Sequence, residues 1–430
     1  MVYDFIHYTA NPQQPVCFCS SCTGFATLVL VFMSFNVVKE QQQKLMKSLP
    51  VEGIVNASNQ KLLYDAMVKP PVDLISPNTP DRDPITHVGF LKVHKAASTT
   101  TQAIFLRFGW RRNLTFVLPP EYNKFGYPNI LSLNESVTKY NTLLPTNGTK
   151  YDILCHHVIY GRDNWRLALP NDTKMIGTVR EPFSLFRSML NYFHPYTIGR
   201  LAARSDDPVR TFLEDPAKYD NTNPQYSLVN NRLSIEYGVP PSVIKRRDFR
   251  LFNEYLYNVL DKDFTVVILA NRFDEGLVMM KRKLNWTLND IMYAMKNVRS
   301  EKKEDWMVVS EDLRLAHEKF CVFDYVLYDF FVKKFERQVQ DEGPSFPREV
   351  DYFKETRTKV EEFCHGKDKT KSGIVIPGSE FSGGFTVDQS DCEVMHRGEI
   401  GFTQLIRKRQ FGSADWTSER QAERRRLGLI

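Results

Sequence analysis

Short apolar runs alternating with amphipathic stretches, beginning at Thr86, set the strongest limit on what this chain can fold into. HVGFLKVH (His87–His94) precedes STTTQAIFLRFGW (Ser98–Trp110), whose helical period puts Ile104, Phe105 and Phe108 on one face. TKMIGTVR (Thr173–Arg180) precedes PFSLFRSMLNYF (Pro182–Phe193), with Pro182 suited to a first helical turn, and DFTVVILA (Asp263–Ala270) precedes FDEGLVMMKRKL (Phe273–Leu284). YDILCHHVIY (Tyr151–Tyr160) reads as a further strand, and Ala316–Gln338 as one long amphipathic helix. Strands of this kind separated by helices predict an α/β domain, with a central, mainly parallel sheet flanked by helices. Composition agrees: 430 residues, 42% hydrophobic and 25% charged, exclude a disordered chain, a collagen-like chain and a small disulfide scaffold.

Before that domain the chain carries a different signal. Residues 16–38, VCFCSSCTGFATLVLVFMSFNVV, contain no Asp, Glu, Lys, Arg, His or Pro, enough to span a hydrocarbon core of roughly 30 Å as a helix. The start MVYDFIHYTANPQQP lacks the basic residues of a cleaved signal, so an uncleaved N-terminal membrane anchor is expected after a short tail, 1–15. Residues 39–85 read as a stem, ending in KPPVDLISPNTPDRDP with five prolines; residues 86–410 are the expected catalytic domain and 411–430 a basic tail. Lys39, Lys44 and Lys47 alone would keep the body in the cytosol. Six N-x-S/T sequons, at Asn56, Asn113, Asn134, Asn147, Asn171 and Asn285, argue instead for a lumenal body. Cys155, Cys321, Cys364 and Cys392 are compatible with two disulfides, in three connectivities, or with buried thiols.

Two constellations carry chemistry. In LKVHKAASTTTQAIF (Leu91–Phe105) a strand leads through a loop into a helix N-terminus, where backbone N–H groups and the helix dipole favour phosphate or sulfate. Ala96, Ala97, Ser98 and Thr99 are small enough to admit an anion, and Lys95 adds charge; Lys92, two residues earlier, is a weaker candidate for the same field. GxxxxGK[ST] is absent, so this is not the loop of a nucleotide hydrolase. In TVREPFSLFRSMLNYF (Thr178–Phe193) Arg180 ends a strand and Ser188 follows about two helical turns later, so both can face one crevice and hold a phosphate.

These stretches, with ILCHH, NNRLSIEYG (Asn230–Gly238), NRFDEGLVMMKRKLNW (Asn271–Trp286) and LNDIMYAMKNVR (Leu288–Arg299), resemble the galactose-3-O-sulfotransferases, in the family's order and over about His87–Arg409. The resemblance implies a P-loop-like sulfotransferase fold and a single-pass type II Golgi membrane protein with a lumenal catalytic domain. It implies transfer of sulfate from 3′-phosphoadenylyl sulfate (PAPS) to the 3-hydroxyl of a galactose on a glycolipid or glycoprotein. By that resemblance Lys95 is the donor-loop lysine, which binds the 5′-phosphosulfate and stabilises the leaving group in catalysis, beside the candidates Lys92, Ala97, Ser98 and Thr99, and Arg180 and Ser188 bind the 3′-phosphate. The general base is sought among His94, His157 and His156, in that order, because imidazole titrates near lumenal pH. The chain departs from the family in reading HHVIYGRD, without an arginine after the histidine pair; Arg162 is the expected substitute. No metal is required by this chemistry, no nucleic-acid partner is expected, and a homodimer is left open. The alternatives are a glycosaminoglycan-type O-sulfotransferase and a non-catalytic glycan- or nucleotide-binding membrane protein on the same fold.

The net charge of +6 fits a small anionic ligand better than a polyanion. Seven Lys and Arg against three Asp and Glu fall within Thr403–Ile430, which leaves +2 for everything before. That basic end is expected to be solvated.

Overall fold

The computed structural model describes residues 83–119, 129–143, 149–197, 205–294, 310–366 and 372–412, all within one compact unit, Ala57–Ile430. The expected tail 1–15, anchor 16–38, nearly all of the stem and the last 18 residues lie outside the described residues. Among the described residues no helix is long and apolar enough to cross a membrane.

Four parallel strands form the central sheet: β1 (Val88–Leu91), β2 (Ile153–Leu154), β3 (Lys174–Val179) and β4 (Phe264–Leu269), in the order β2-β1-β3-β4. Val88 pairs with both Ile153 and Lys174, and Val179 pairs with Leu269. Their side chains are buried almost throughout, as expected of a parallel sheet covered on both faces. Helix α1 (Ser98–Arg111) follows β1, α2 (Pro182–Thr197) follows β3, and α4 (Phe273–Leu284) follows β4, with the short α3 (Arg232–Glu236) between α2 and β4. On one side Phe90, Phe105, Phe108 and Trp286 form an aromatic stack, with Phe108 and Trp286 parallel at 3.7 Å between centroids. The stem meets the domain at Ile85, whose N–H donates to the Leu284 carbonyl and whose carbonyl accepts from Trp286 Nε1, both at 2.9 Å.

Three expectations change. The strand expected over Tyr151–Tyr160 shrinks to two residues, so His156 and His157 lie beyond its end. The single helix expected over Ala316–Gln338 is two, α5 (Glu311–Phe320) and α6 (Val322–Asp341), broken at Cys321. The break is held by tertiary contacts: Cys321 Sγ donates to the Val229 carbonyl, and Asn231 Oδ1 accepts the N–H groups of Phe323 and Asp324 at 3.0 and 3.2 Å, capping α6 from a distant loop. The third concerns the basic end. Arg407 and Arg409, counted in a solvated tail, belong to α9 (Glu399–Phe411), which packs on α1. Arg407 is buried and donates to the Pro119 carbonyl at 2.7 Å, while Arg409 donates to the Trp110 and Leu114 carbonyls at 2.8 and 3.0 Å.

The C-terminal part adds α7 (Ser345–His365), an antiparallel hairpin of β5 (Gly373–Ile376) and β6 (Phe385–Asp388), and α8 (Gln389–Met395) ahead of α9. A disulfide, Cys364–Cys392, ties α7 to α8; Cys155 and Cys321 are buried thiols. One pair and two thiols thus replace the alternatives of two disulfides or none.

Candidate active site

The sheet order itself locates the site. From β1 the chain passes to β2 on one side, and from β3 to β4 on the other, so the connections diverge between the C-terminal ends of β1 and β3. A crevice opens at such a switch point, and ligands of α/β sheets bind there. The loop after β1 carries His94–Ala97, and the residue after β3 is Arg180. Arg180 Nη1 donates to the Lys95 carbonyl at 3.2 Å, closing the crevice across residues 85 apart in sequence.

The loop adopts an uncommon backbone. Lys95 and Ala97 both have positive φ, 57° and 58°, with Ala96 between them outside that region. Left-handed conformations alternating this way turn successive N–H groups toward one concavity, the geometry of an anion nest. Each costs a non-glycine residue roughly 1 kcal/mol, strain that clusters at functional sites. Helix α1 then starts with no side-chain cap and no acid in its first turn, so its positive end stays uncompensated. Ala97 and Thr99 are exposed there. Ser98 is not available as an anion ligand through its side chain: it is buried, and its hydroxyl donates to the Val93 carbonyl at 2.5 Å, pinning the loop. The Lys95 ammonium sits 4.1 Å from the centre of the Tyr192 ring.

Behind the loop stands a histidine–carboxylate pair. His94 Nδ1 lies 2.5 Å from Glu236 Oε1, and its backbone N–H donates to Glu236 Oε2 at 2.9 Å. Arg232 Nε donates to the same Oε1 at 2.7 Å. Burial alone would raise the Glu236 carboxyl; the charges of His94 and Arg232 and the His94 hydrogen bonds outweigh it and hold the group down at about 2. An ionised Glu236 can only accept, so Nδ1 of His94 keeps its proton and donates it, which leaves Nε2 as the basic nitrogen. His157 stacks on His94 with centroids 3.9 Å apart, and its Nδ1 donates to the Lys92 carbonyl at 2.9 Å. Burial, then the charges of His94 and Lys92, push the His157 imidazole well below its usual range, so it stacks as a neutral ring.

Arg180, just after β3, and Ser184, Arg187, Ser188 and Asn191 on α2 line one small polar cleft. Arg180 and Ser188, paired in the sequence by spacing, therefore share a wall.

Three predicted residues lie elsewhere. His156 is fully buried, with Nε2 3.1 Å from the Thr403 hydroxyl on α9, and burial with the nearby Lys92 and Arg407 charges pushes it down to about 3. It packs between sheet and α9 and does not reach the crevice. Lys92 is buried as well and paired with Glu399, which also accepts from Asn129 at 2.9 Å; burial lowers its pKa against the pull of Glu399. It braces the site from beneath and does not face an anion. Arg162 bonds Asp263 at 2.8 Å, just before β4 begins, at the end of the sheet opposite the crevice, so it does not replace the missing arginine.

Sequence reasoning overlooked Glu236, Arg232 and Arg187. The first two stand four apart in NNRLSIEYG, an ion-pair spacing on a helix; Arg187 adjoins Ser188 in a segment already singled out.

Comparison with known proteins gives the same direction. The Galactose-3-O-sulfotransferase family matches residues 14–376. The chain is 29% identical to mouse Galactose-3-O-sulfotransferase 3 over 296 residues, covering 67% of this chain and 66% of that protein. It is 28% identical to mouse Galactose-3-O-sulfotransferase 2 over 299 residues, 68% and 73% of the two chains, and 29% identical to human Galactosylceramide sulfotransferase over 283 residues, 65% and 64%. The matched stretch thus spans about two thirds of the length of these relatives. No solved structure gives a significant match. With the family matched over most of its length and its nest, histidine pair and arginine cleft gathered at one switch point, the chain belongs to the galactose-3-O-sulfotransferase family.

Proposed function

We propose that this protein transfers a sulfuryl group from PAPS to the 3-hydroxyl of a galactose on a glycolipid or glycoprotein glycan. The observation that carries this reading is the Arg180–Lys95 contact, which joins the lysine loop and the arginine–serine cleft into one crevice beside His94. The residues fit the donor: an uncapped helix start with a left-handed loop suits a 5′-phosphosulfate, and a cleft with Arg180 and Ser188 suits a 3′-phosphate. The donor supplies the sulfuryl group. His94 Nε2 takes the proton of the acceptor hydroxyl while the new O–S bond forms, and Glu236 stabilises the imidazolium. The bond from sulfur to the phosphate oxygen breaks with its electron pair, and Lys95 and the loop N–H groups meet the charge left on phosphate. Ala97 and Thr99 leave room for the anion, and Ser98 holds the loop's shape.

A Golgi lumen, reached through a type II anchor at residues 16–38, belongs to the same proposal. It is supported by the Cys364–Cys392 disulfide, which suits an oxidising compartment, and by the exposure of the sequon residues Asn113 and Asn171. The family match also starts at residue 14, ahead of the apolar run.

The test is transfer of labelled sulfate to a panel of galactosides by the full-length chain in membranes, with product linkage read by NMR. Loss of transfer in Lys95→Ala and Arg180→Ala, with folding retained, is the expected result; undiminished turnover in both sinks the reading.

A further inference from the structure

We infer that Arg187 is a second cationic ligand for the 3′-phosphate of the donor, and the main source of discrimination for nucleotides that carry one. This rests on the sulfotransferase reading above and adds to it a residue that neither spacing nor resemblance assigns.

Helix α2 places Ser184, Arg187, Ser188 and Asn191 at i, i+3, i+4 and i+7, one face of the helix. That face and Arg180 line the cleft, which among the described residues contains two guanidinium groups and no carboxylate. The nearest acid in sequence, Glu181, is turned away: it accepts the N–H groups of Phe183 and Ser184 at 3.2 and 2.7 Å and pairs with Arg314 at 3.0 Å. Arg187 Nε is buried and meets no hydrogen-bond partner among the described residues. Such a donor normally finds a partner, because a buried N–H left unmade costs about 1–3 kcal/mol. Two like charges sharing a small cleft add repulsion. A phosphate dianion resolves both, accepting from two planar guanidinium forks and from the Ser188 hydroxyl. Ser188 is 8% exposed, so the anion would bind against a wall shielded from bulk water, where such contacts are strong.

The test compares adenosine 3′,5′-bisphosphate with AMP, which lacks the 3′-phosphate, by calorimetry and by thermal shift. The wild-type full-length chain is compared with Arg187→Gln and Arg187→Lys. The wild type is expected to prefer the bisphosphate. Arg187→Gln is expected to lose about 10–100-fold of bisphosphate affinity, the magnitude of one charge-assisted contact, while AMP affinity changes by less than about 2-fold. Arg187→Lys should retain part of the loss, because it keeps the charge without the fork. Without ligand, the melting temperature of Arg187→Gln should equal or exceed that of the wild type, since one repelling charge is gone. Full preference for the bisphosphate in Arg187→Gln overturns the inference, as does an equal fall for both nucleotides with a lower melting temperature, which marks a structural role. If the wild type binds neither nucleotide, the sulfotransferase reading itself fails, and this inference with it.

Discussion

The imidazole of His94 donates from Nδ1 to Glu236 Oε1 across 2.5 Å, joining the loop after the first strand to a short helix 142 residues further along the chain. The bond defines which nitrogen of His94 is basic. Glu236→Gln removes the carboxylate with almost no change of volume. Turnover is expected to fall about 10²–10³-fold with the donor's KM little altered, since orientation and imidazolium stabilisation are lost while the donor loop stays intact. Steady-state sulfate transfer measures it, and an unchanged kcat would refute the pairing's role.

The same carboxylate predicts a pH dependence of stability. Its pKa is held at about 2 in the folded chain against an ordinary 4.5. A depressed carboxyl contributes stability that is present above pH 4.5 and is lost as pH falls toward 2. The contribution is roughly 2–4 kcal/mol. Denaturant unfolding between those limits should show the wild type weakening faster than Glu236→Gln; parallel curves would refute this.

Histidines 94 and 156 should separate by phenotype. His94→Ala is expected to lose transfer and stay folded. His156→Ala should unfold more easily by about 2–3 kcal/mol, as a buried side chain bonded to Thr403 is removed, while the folded fraction keeps its kcat. Thermal melts paired with activity per folded molecule distinguish the two.

At Ala97, φ is 58°, a conformation glycine adopts freely. Ala97→Gly should therefore be neutral or stabilise by up to about 1 kcal/mol, and Ala97→Val should destabilise by about 1–2 kcal/mol and weaken nucleotide binding. If valine is tolerated on both counts, the loop does not need the left-handed turn.

The disulfide Cys364–Cys392 encloses a separation of 28 residues. Removing it through paired alanines should cost about 3–4 kcal/mol. Added reductant should lower the wild-type melting temperature toward that of the double variant and leave the variant unmoved.

Local sequence determined much of the scaffold. Strands β1, β3 and β4 and helices α1, α2 and α4 follow from runs of apolar residues and their periods, and their observed bounds lie close to the expected ones. The small residues around Lys95, and the Arg180–Ser188 spacing, were equally legible, because each depends on one strand–loop–helix segment. The partners were not. The break at Cys321 depends on Asn231; the burial of His156 and Arg407 depends on where α9 packs; the pairing of Lys92 with Glu399 spans 307 residues. Glu236 pairs with Arg232 inside its own helix, but it bears on a candidate base only because folding brings it to His94. Secondary structure is set by neighbours in sequence, whereas the basicity and accessibility of a side chain are set by burial and charge supplied by residues hundreds of positions away. The chain alone therefore determined the sheet and the anion loop, and only the tertiary structure decided which histidine meets the crevice and which arginines line the cleft beside it.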